Sequence, residues 1–425
     1  MKIALLSTNH DLGGAAIVTR RLTDALRDAG HDARMIVARP GDMSSAQEAV
    51  MAVERHRWLP PFLAERTELW IKGTSRKDIF KLSTGRHGVA LDRHPFVREA
   101  DAVMVNWASQ GFLSLSSLDR ICATGKPVIY TMHDLWPATA LCHLPGECSR
   151  YADTPPCAAC PFFRGRRGSL LRQEIAATKK RVFSHPGLRL VAVSEWQRSM
   201  ASRSSILKGK EITVIPHPFP ASLYQPEEKI TPEGKRMIVM AAARLDDPVK
   251  DLPAAVDALN TFAWEYPALA AEVEVAFAGA IRDDSELRRL RLPWRSLGLL
   301  SPDSLRDLYA RATIVLSSSK YETMGATLME GMAAGAIPVS YGDAGQSDIV
   351  DDTVNGFLAP RHNPASLAFA LSLALQTILA PAQGGETTPS LTCDREKFLH
   401  HEVTRRFSPA AIAARYLSLL TLTHP

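Results

Sequence analysis

The segment YETMGATLMEGMAAGAIPV contains two glutamates, Glu322 and Glu330, with seven residues between them. Gly325 begins a run of Ala, Met, Leu and Glu residues that favours a helix, and Gly335 is placed to end it. Apolar segments typical of buried strands lie on both sides, so the unit is strand, loop, helix, strand, the module of a parallel sheet. The start of such a helix favours phosphate, and a carboxylate further along can bind ribose, which predicts a nucleotide site. An ordinary helix packed on a sheet is the alternative.

Charged residues, glycines and a histidine also follow other predicted strands. Arg244 and Lys250 lie after an apolar segment, on a loop that precedes a helix. Gly13 and Gly14 follow the first strand, where they allow either a close approach of the backbone to a ligand or simply a tight turn. His133 stands at the carboxyl end of a predicted strand, where parallel sheets bind ligands, although a histidine packed in the core is the alternative.

Four cysteines, Cys142, Cys148, Cys157 and Cys160, form a compact block with the spacing C-x5-C-x8-C-x2-C. The terminal C-x2-C is a usual chelating spacing, so the block predicts a structural zinc site. Disulfides and plain buried thiols remain alternatives.

The 425-residue chain is too long for one hydrophobic core and fits two domains. Residues 1–216 hold 31 Lys and Arg against 20 Asp and Glu, so the formal net charge of +5 divides into a basic first half and an acidic second half. The basic half favours an anionic glycan, lipid or membrane surface as a partner, with a solvated basic face as the alternative. Nucleic acid is not expected, because no binding motif is present. No signal peptide or membrane span is recognisable, so we expect a cytoplasmic protein.

The order of predicted elements indicates an α/β protein with two Rossmann-like domains. We expect an N-terminal domain at residues 1–216, with an irregular insertion at residues 41–100 and the cysteine block at residues 142–160. A proline-rich stretch then leads to a new strand, so we place the C-terminal domain at residues 217–395. A terminal segment, residues 396–425, contains an amphipathic helix.

Together these features resemble retaining glycosyltransferases of family 4, which have the two-domain GT-B fold. The resemblance runs from Ile3 to about Tyr416, and part of it is similar to a bacterial subgroup. The motifs that carry it are Glu322…Glu330 followed by Gly-Met-Ala-Ala-Gly-Ala-Ile-Pro-Val, Arg244 with Lys250, Gly13-Gly14, His133-Asp-Leu-Trp136, Val193-Ser194-Glu-Trp196, Asn106-Trp107 and the cysteine block ending in Cys-Pro. It implies parallel sheets facing a central crevice, an N-terminal domain on the acceptor side, and a C-terminal helix that crosses back to that domain.

The resemblance also implies a role for each motif. Arg244 and Lys250 would bind the diphosphate of a UDP- or GDP-sugar, Glu330 would bind the ribose, and His133 would face the donor sugar from the other domain. The implied catalytic residues are His133, Glu322, Arg244 and Lys250. The implied donor-binding residues are Gly13, Gly14, Arg244, Lys250, Glu322, Met324, Gly325, Ala326, Thr327 and Glu330.

The implied reaction moves a sugar to a glycan or lipid-linked acceptor in the synthesis of a bacterial exopolysaccharide or lipopolysaccharide. The basic N-terminal domain suits such an acceptor, and it also suits peripheral contact with the inner face of an anionic membrane. No Asp-x-Asp motif lies between the predicted strands, so no cofactor is implied for catalysis and any zinc would be structural.

Two departures from the family pattern leave other functions open. Thr323-Met324 replaces the usual Gly-Phe, and His217-Pro218 replaces the usual Asn-Gly, so the contacts with the donor sugar are expected to differ. The alternatives are a GT-B sugar-nucleotide epimerase and a scaffold that binds a sugar nucleotide without turnover. A phosphorylase is disfavoured, because the lysine context for its cofactor is missing.

Overall fold

In the computed structural model the described residues are 1–41, 49–163, 166–226, 234–360, 363–379 and 395–421. The chain divides into two compact units. The first comprises Met1–Pro218 together with Pro409–Pro425, and the second comprises Phe219–Ser408. Each unit is built on one parallel sheet with helices, which confirms the predicted α/β class and the two Rossmann-like sheets.

The first unit contains seven strands. They are β1 (Lys2–Asn9), β2 (Asp32–Arg39), β3 (Val50–Ala52), β4 (Ala102–Val105), β5 (Val128–Met132), β6 (Leu188–Ala192) and β7 (Ile212–Val214). Its helices are α1 (Gly14–Asp28), α2 (Arg55–Ile71), α3 (Pro95–Glu99), α4 (Leu115–Cys122), α5 (Arg166–Phe183), α6 (Glu195–Ser202) and, from the end of the chain, α13 (Pro409–Thr421).

The first sheet has the strand order β3-β2-β1-β4-β5-β6-β7, and its strands are parallel. Strand β1 is apolar on both faces, as expected for a strand covered on both sides. Ile3 and Leu5 pack with α1 and α13, whereas Ala4 and Leu6 belong to the cluster that contains α4 and α5. The chain passes from β1 to β2 on one side and reaches β4 on the other. The carboxyl ends of β1 and β4 therefore form a topological switch point, where open α/β sheets bind ligands.

The second unit contains six strands. They are β8 (Arg236–Arg244), β9 (Val273–Ala280), β10 (Trp294–Gly298), β11 (Ile314–Ser317), β12 (Ile337–Tyr341) and β13 (Phe357–Ala359). Its helices are α7 (Leu252–Glu265), α8 (Pro267–Ala270), α9 (Pro302–Arg311), α10 (Ala326–Ala333), α11 (Pro364–Leu379) and α12 (Arg395–Phe407). The order β10-β9-β8-β11-β12-β13 is again parallel, and its switch point lies between β8 and β11.

Several segments differ in detail from the sequence-based expectation. The insertion expected at residues 41–100 holds regular elements, since β3 extends the sheet and α2 follows it, while residues 42–48 lie outside the described part. Strand β8 continues through Arg244 because its pairing with β9 resumes after a bulge, so Arg244 ends the strand instead of lying on the loop. The segment at residues 396–425 contains most of α12, in the second unit, and α13, in the first.

Helix α13 is integral to the first unit. Ile412 and Tyr416 lie in the same apolar cluster as α1, and the hydroxyls of Tyr416 and Thr131 are 3.2 Å apart. Among the described helices, none combines the length and the apolar character that crossing a bilayer requires.

Candidate functional site

The switch point of the second sheet brings together charged residues that the sequence indicated. Arg244 is the last residue of β8, Lys250 lies on the loop after it, and Glu322 lies on the loop after β11. Nζ of Lys250 and Oε1 of Glu322 form an ion pair although the residues are 72 positions apart in the chain. Their side chains are 27% and 19% exposed, so solvent and solutes reach the pair.

Hydrogen bonds hold the Lys250 loop against the loop after β11. The hydroxyl of Ser318 donates to the carbonyl oxygens of Lys250 and Asp251, over 2.8 and 3.1 Å. The backbone N–H of Lys320 donates to the carbonyl of Val249 over 2.8 Å. The two loops are therefore joined independently of the side-chain ion pair. These hydrogen bonds fix the position of the Lys250 backbone.

Arg244 also has a carboxylate partner. Its guanidinium lies 3.1 Å from Oδ1 of Asp246, and Oδ2 of the same aspartate accepts the backbone N–H of Arg282 over 3.1 Å. The N–H of Arg282, and then the Arg244 side chain, hold the pKa of Asp246 below its usual range. Both cations predicted to bind phosphate thus have acidic partners.

Helix α10 starts at the carboxyl end of β11 and packs tightly on it. Gly325 precedes the helix with φ of +94°, a conformation that favours glycine. A Cβ on Gly331 would lie 2.4 Å from Cγ1 of Val315, so only a glycine lets the helix approach the strand this closely. Gly335, with φ of +80°, closes the helix in a Schellman motif. The first-turn N–H groups of Ala326 and Thr327 therefore lie at the switch point, whereas that of Leu328 donates to the carbonyl of Gly325 over 3.1 Å.

The other residues of the predicted donor site differ in exposure. Met324 is buried, whereas Ala326 is exposed and Thr327 is half-buried. Glu330 is half-buried beside Tyr309, and burial followed by the charge of Glu330 raises the pKa of the Tyr309 phenol well above its usual range. The Met324 side chain is thus part of the core of the second unit, while the Glu330 carboxylate keeps partial access to solvent.

Gly13 and Gly14 lie at the start of α1, after the loop that follows β1 at the switch point of the first sheet. Gly13 has φ of +91° and immediately precedes α1. Both glycines are exposed, and a Cβ on either would meet no atom within 4 Å. The space over this turn is therefore open to a ligand, and only Gly13 requires glycine for its backbone conformation.

His133 follows β5 and lies next to Asn106, which follows β4. Nε2 of His133 is 3.1 Å from Oδ1 of Asn106, and its ring stacks on that of His217 with centroids 5.4 Å apart. Burial lowers the pKa of His133 to about 4, so the imidazole is neutral at pH 7. Sequence reasoning noted His217 only as a departure from the family pattern, and its stacking on His133 had no local signal.

Asp134 organises a buried network beside His133 that sequence reasoning did not identify. Its carboxylate accepts the indole N–H of Trp107 and the backbone N–H of Trp136, each over 2.8 Å, and it lies 2.6 Å from Nδ1 of His143. Burial alone raises the pKa of Asp134, but His143 and these donors together hold it below its usual range. The signal for this network was present in the two short motifs that contain Trp107 and Trp136.

The four cysteines of the block converge on one small cavity of about 20 Å³. Cys142 and Cys157 are buried, Cys148 and Cys160 are half-buried, and all four are free thiols. Within the described part of the chain, no three His, Cys, Asp or Glu side chains are gathered closely enough to hold a metal ion. The zinc site therefore stays a prediction.

Models of two protein families match the chain. The model described as Glycosyltransferase Family 4 matches residues 12–222, and the one described as Glycosyl transferases group 1 matches residues 236–377. An uncharacterised glycosyltransferase of Methanocaldococcus jannaschii is 33% identical over 109 residues. That match spans 25% of this chain and 28% of the relative.

Solved structures of low sequence identity align over nearly the whole chain. Sucrose-phosphate synthase from Thermosynechococcus elongatus has a TM-score of 0.63 at 17% identity and covers 98% of this chain and 97% of its own. HepE from Anabaena, in complex with UDP and glucose, has a TM-score of 0.60 at 16% identity, with 99% of each chain covered. WaaG, a glycosyltransferase involved in lipopolysaccharide biosynthesis, has a TM-score of 0.61 at 14% identity and covers 99% of this chain and 100% of its own. The chain therefore has the GT-B fold of these structures, and models of glycosyltransferase families match one stretch of sequence in each of its two units.

Proposed function

We propose that this protein transfers a sugar from a nucleotide-diphosphate sugar to a glycan or lipid-linked acceptor, with retention of configuration at the anomeric carbon. The observation that carries the proposal is the group of Arg244, Lys250 and Glu322 beside the start of α10, at the switch point of the second sheet. HepE, which shares the fold, has been solved with UDP and with UDP-glucose, and a ligand of that type has the diphosphate that two cations and a helix start would bind.

When the donor binds, its phosphates are proposed to replace the carboxylates as partners of Lys250 and Arg244. Lys250 is paired with Glu322, and Arg244 with Asp246, so an incoming diphosphate competes with one carboxylate at each cation. A diphosphate offers more charge and more acceptor oxygens than a single carboxylate, and the N–H groups at the start of α10 add further donors. Glu330, half-buried further along the same helix, is proposed to accept hydrogen bonds from the ribose hydroxyls.

In the proposed reaction the acceptor hydroxyl attacks the anomeric carbon on the face from which the diphosphate leaves. The bond between that carbon and the phosphate oxygen breaks, the new glycosidic bond forms, and the hydroxyl proton passes to the departing phosphate oxygen. Arg244 and Lys250 stabilise the negative charge that develops on the leaving group. His133, neutral at pH 7, is proposed to exchange a hydrogen bond with a hydroxyl of the donor sugar.

The acceptor is proposed to be anionic or lipid-linked, in the synthesis of a bacterial surface polysaccharide. This part of the proposal rests on the excess of Lys and Arg in residues 1–216 and on the family resemblance. Under this proposal the protein works in the cytoplasm, in peripheral contact with the inner face of the membrane.

Donor turnover with and without acceptor distinguishes the proposal from its two alternatives. A transferase consumes donor rapidly only when acceptor is present, an epimerase converts donor alone, and a non-catalytic scaffold binds donor without either change. Both alternatives are included because Thr323-Met324 departs from the family pattern beside the proposed donor site.

The first experiment is a thermal-shift screen of UDP-, GDP- and ADP-sugars. A ligand that binds only the folded state stabilises it by about 2.7 kcal/mol at a concentration of about 100 Kd, which is a measurable rise in Tm. The same screen on Lys250→Met should show a smaller rise for the best donor. Arg295→Ala is a matched control, because Arg295 forms an ion pair with Glu274 at the amino ends of β10 and β9, the edge of the same sheet opposite to the switch point. The proposal fails if no nucleotide sugar stabilises the wild-type protein, or if both variants respond alike.

A further inference from the structure

The cysteine cavity lies beside the loop that carries the Asp134 network. Residues 142, 148, 157 and 160 come from three turns of an irregular segment, yet all four line the same space of about 20 Å³. A space of that size holds about one water molecule or one ion, and it is too small for an organic cofactor. Packing alone does not require four cysteines to line one ion-sized space. A cysteine that only fills the core behaves as a small apolar residue and can lie beside any apolar neighbour.

Two buried basic side chains lie near the cysteines, behind the residues that line the cavity. Lys179 is fully buried on α5, where its ammonium group donates to the carbonyls of Trp136 (2.6 Å) and Thr139 (3.0 Å) and lies 3.5 Å from the centre of the Trp136 ring. Arg172, about two turns earlier on the same helix, is 4% exposed and donates to the carbonyls of Cys157 and Ala158, each over 2.9 Å.

Among the described residues neither basic group forms a direct ion pair with a carboxylate, although the charges of Asp134 and Glu65 act on Lys179 from further away. Nη1 of Arg172 has no hydrogen-bond partner in the described part of the chain, although Arg172 lines a wider cleft together with Cys148 and Cys160. Burial disfavours the charged form of both groups, and that of Lys179 most strongly. An anion in the cavity would favour the charged form of both.

The three states open to the cysteines differ in charge. Four free thiols are neutral, and two disulfides are neutral, so neither state adds a negative charge beside Lys179 and Arg172. A zinc ion bound by four thiolates carries a net charge of −2, which two monocations balance. Charge balance therefore favours the metal-bound state over both alternatives.

We propose that Cys142, Cys148, Cys157 and Cys160 bind one structural zinc ion as thiolates, and that Lys179 and Arg172 balance the charge of this centre. On binding, four S–H protons leave to solvent and four Zn–S bonds form, with no change in oxidation state. The sulfurs are not yet gathered at ligand distance among the described residues, so the ion draws them together across the cavity.

The zinc centre would stabilise the loop between β5 and α5. The hydroxyl of Thr139 donates to the carbonyl of Cys142 over 2.5 Å, and Lys179 binds the carbonyls of both Trp136 and Thr139. This loop begins with His133 and Asp134, so the ion acts as a clamp some distance from the reacting atoms. It is a structural role, separate from the proposed transfer reaction.

The test measures metal content and does not depend on activity. Protein purified under reducing conditions without added metal should contain about one zinc per chain, and a mercurial reagent that titrates the thiols should release it. Cobalt exchanged into the site should give the intense thiolate charge-transfer bands and visible d–d bands of a tetrahedral sulfur site. Wild-type protein without zinc that also fails to bind cobalt overturns the proposal, whether its cysteines are found as disulfides or as thiols.

Single substitutions then show which cysteines bind the metal and which do not. Cys148→Ser and Cys160→Ser, at the two half-buried positions, should lose the metal, whereas Cys122→Ser, a buried cysteine outside the block, should keep it. Lys179→Met and Arg172→Gln should each weaken zinc affinity about 10–100-fold in competition with a chelator, the usual effect of removing an outer partner of a metal site. If one of these two does not fold, the other still carries the measurement. Retention of full zinc affinity in a folded Cys148→Ser or Cys160→Ser variant contradicts the ligand assignment, and unchanged affinity in a folded Lys179 or Arg172 variant contradicts the charge balance.

Discussion

If the donor binds Lys250 as proposed, Glu322 competes with it through the ion pair that these two residues form. Because the two side chains are only partly exposed, the pair is worth about 1 kcal/mol, which corresponds to roughly a fivefold change in a binding constant. Glu322→Gln removes this competition, so UDP should bind about fivefold more tightly. Sugar transfer should nevertheless slow, because Glu322 is proposed to lie near the reacting sugar.

Calorimetric titration with UDP, together with kcat from the transfer assay, checks both parts of this prediction. Glu286→Gln serves as the control, since Glu286 is ion-paired with Arg289 on the same unit. Weaker binding of UDP to Glu322→Gln would show that the carboxylate contacts the nucleotide directly.

Glu330 should behave differently, because the ribose that it is proposed to bind does not react. A contact that is equal in the ground state and the transition state affects binding alone, so Glu330→Gln should raise KM for the donor and leave kcat nearly unchanged. A carboxylate that accepts a hydroxyl hydrogen bond contributes about 1.5–3 kcal/mol, so KM should rise at least tenfold. A fall in kcat with constant KM would place Glu330 near the reacting sugar instead.

His133 makes the first unit sensitive to acid. Its pKa is about 4 in the folded protein because of burial, against an ordinary value of 6.5, so the unfolded chain binds more protons between these values. Stability should therefore fall as the pH drops from about 6.5 towards 4. His133→Gln should lose less Tm between pH 7.5 and pH 5 than the wild type.

The exposed His56 supplies the control for this pH dependence, and His56→Gln should keep the full drop in Tm. An equal drop in all three proteins would mean that His133 is already protonated in the folded state at pH 5.

At the scale of elements, the close packing of α10 on β11 should be sensitive to a single substitution. Gly331→Ala places a methyl group 2.4 Å from Cγ1 of Val315, so the helix must move away from the strand. We expect a loss of about 1–3 kcal/mol, seen as a lower Tm, and weaker binding of the donor because the start of α10 shifts. Gly187→Ala is the comparison, since its new methyl group would lie 3.6 Å from the nearest atom. Equal Tm values in the two variants would contradict the tight packing.

The elements themselves were largely predictable from sequence. Buried strands such as β1 and β5 are short apolar runs, and α10 lies between two glycines whose positive φ angles only the fold reveals. The side-chain pairs were not predictable in the same way. Lys250 and Glu322 meet because two loops end side by side at the switch point, and no local pattern encodes which of the nearby acidic residues will pair with which cation. The same holds for Asp134 and His143, which are close in sequence but are joined only by the fold of an irregular loop.

At the scale of the whole molecule, the two halves of the sequence differ in charge. Residues 1–216 hold 31 basic against 20 acidic side chains, while the overall net charge is only +5. We expect the protein to bind vesicles that contain anionic lipid and not vesicles of neutral phosphatidylcholine. Binding should weaken between about 0.1 M and 1 M salt, where the Debye length falls from about 10 Å to 3 Å. Co-sedimentation of the full chain tests this, and equal binding to both kinds of vesicle at low salt, or undiminished binding at high salt, would contradict an electrostatic attraction.

The acidic partners of Lys250 and Arg244 affect how well small inorganic anions can bind there. Phosphate and sulfate would bind readily to two cations beside a helix start if those cations had no carboxylate partners. With Glu322 and Asp246 in place, a small anion must displace a carboxylate and gains only one ionic contact in return. In the proposed complex a nucleotide sugar displaces the same carboxylates while its ribose, base and sugar contribute contacts of their own. Under that proposal the two carboxylates select against small anions and in favour of a complete donor.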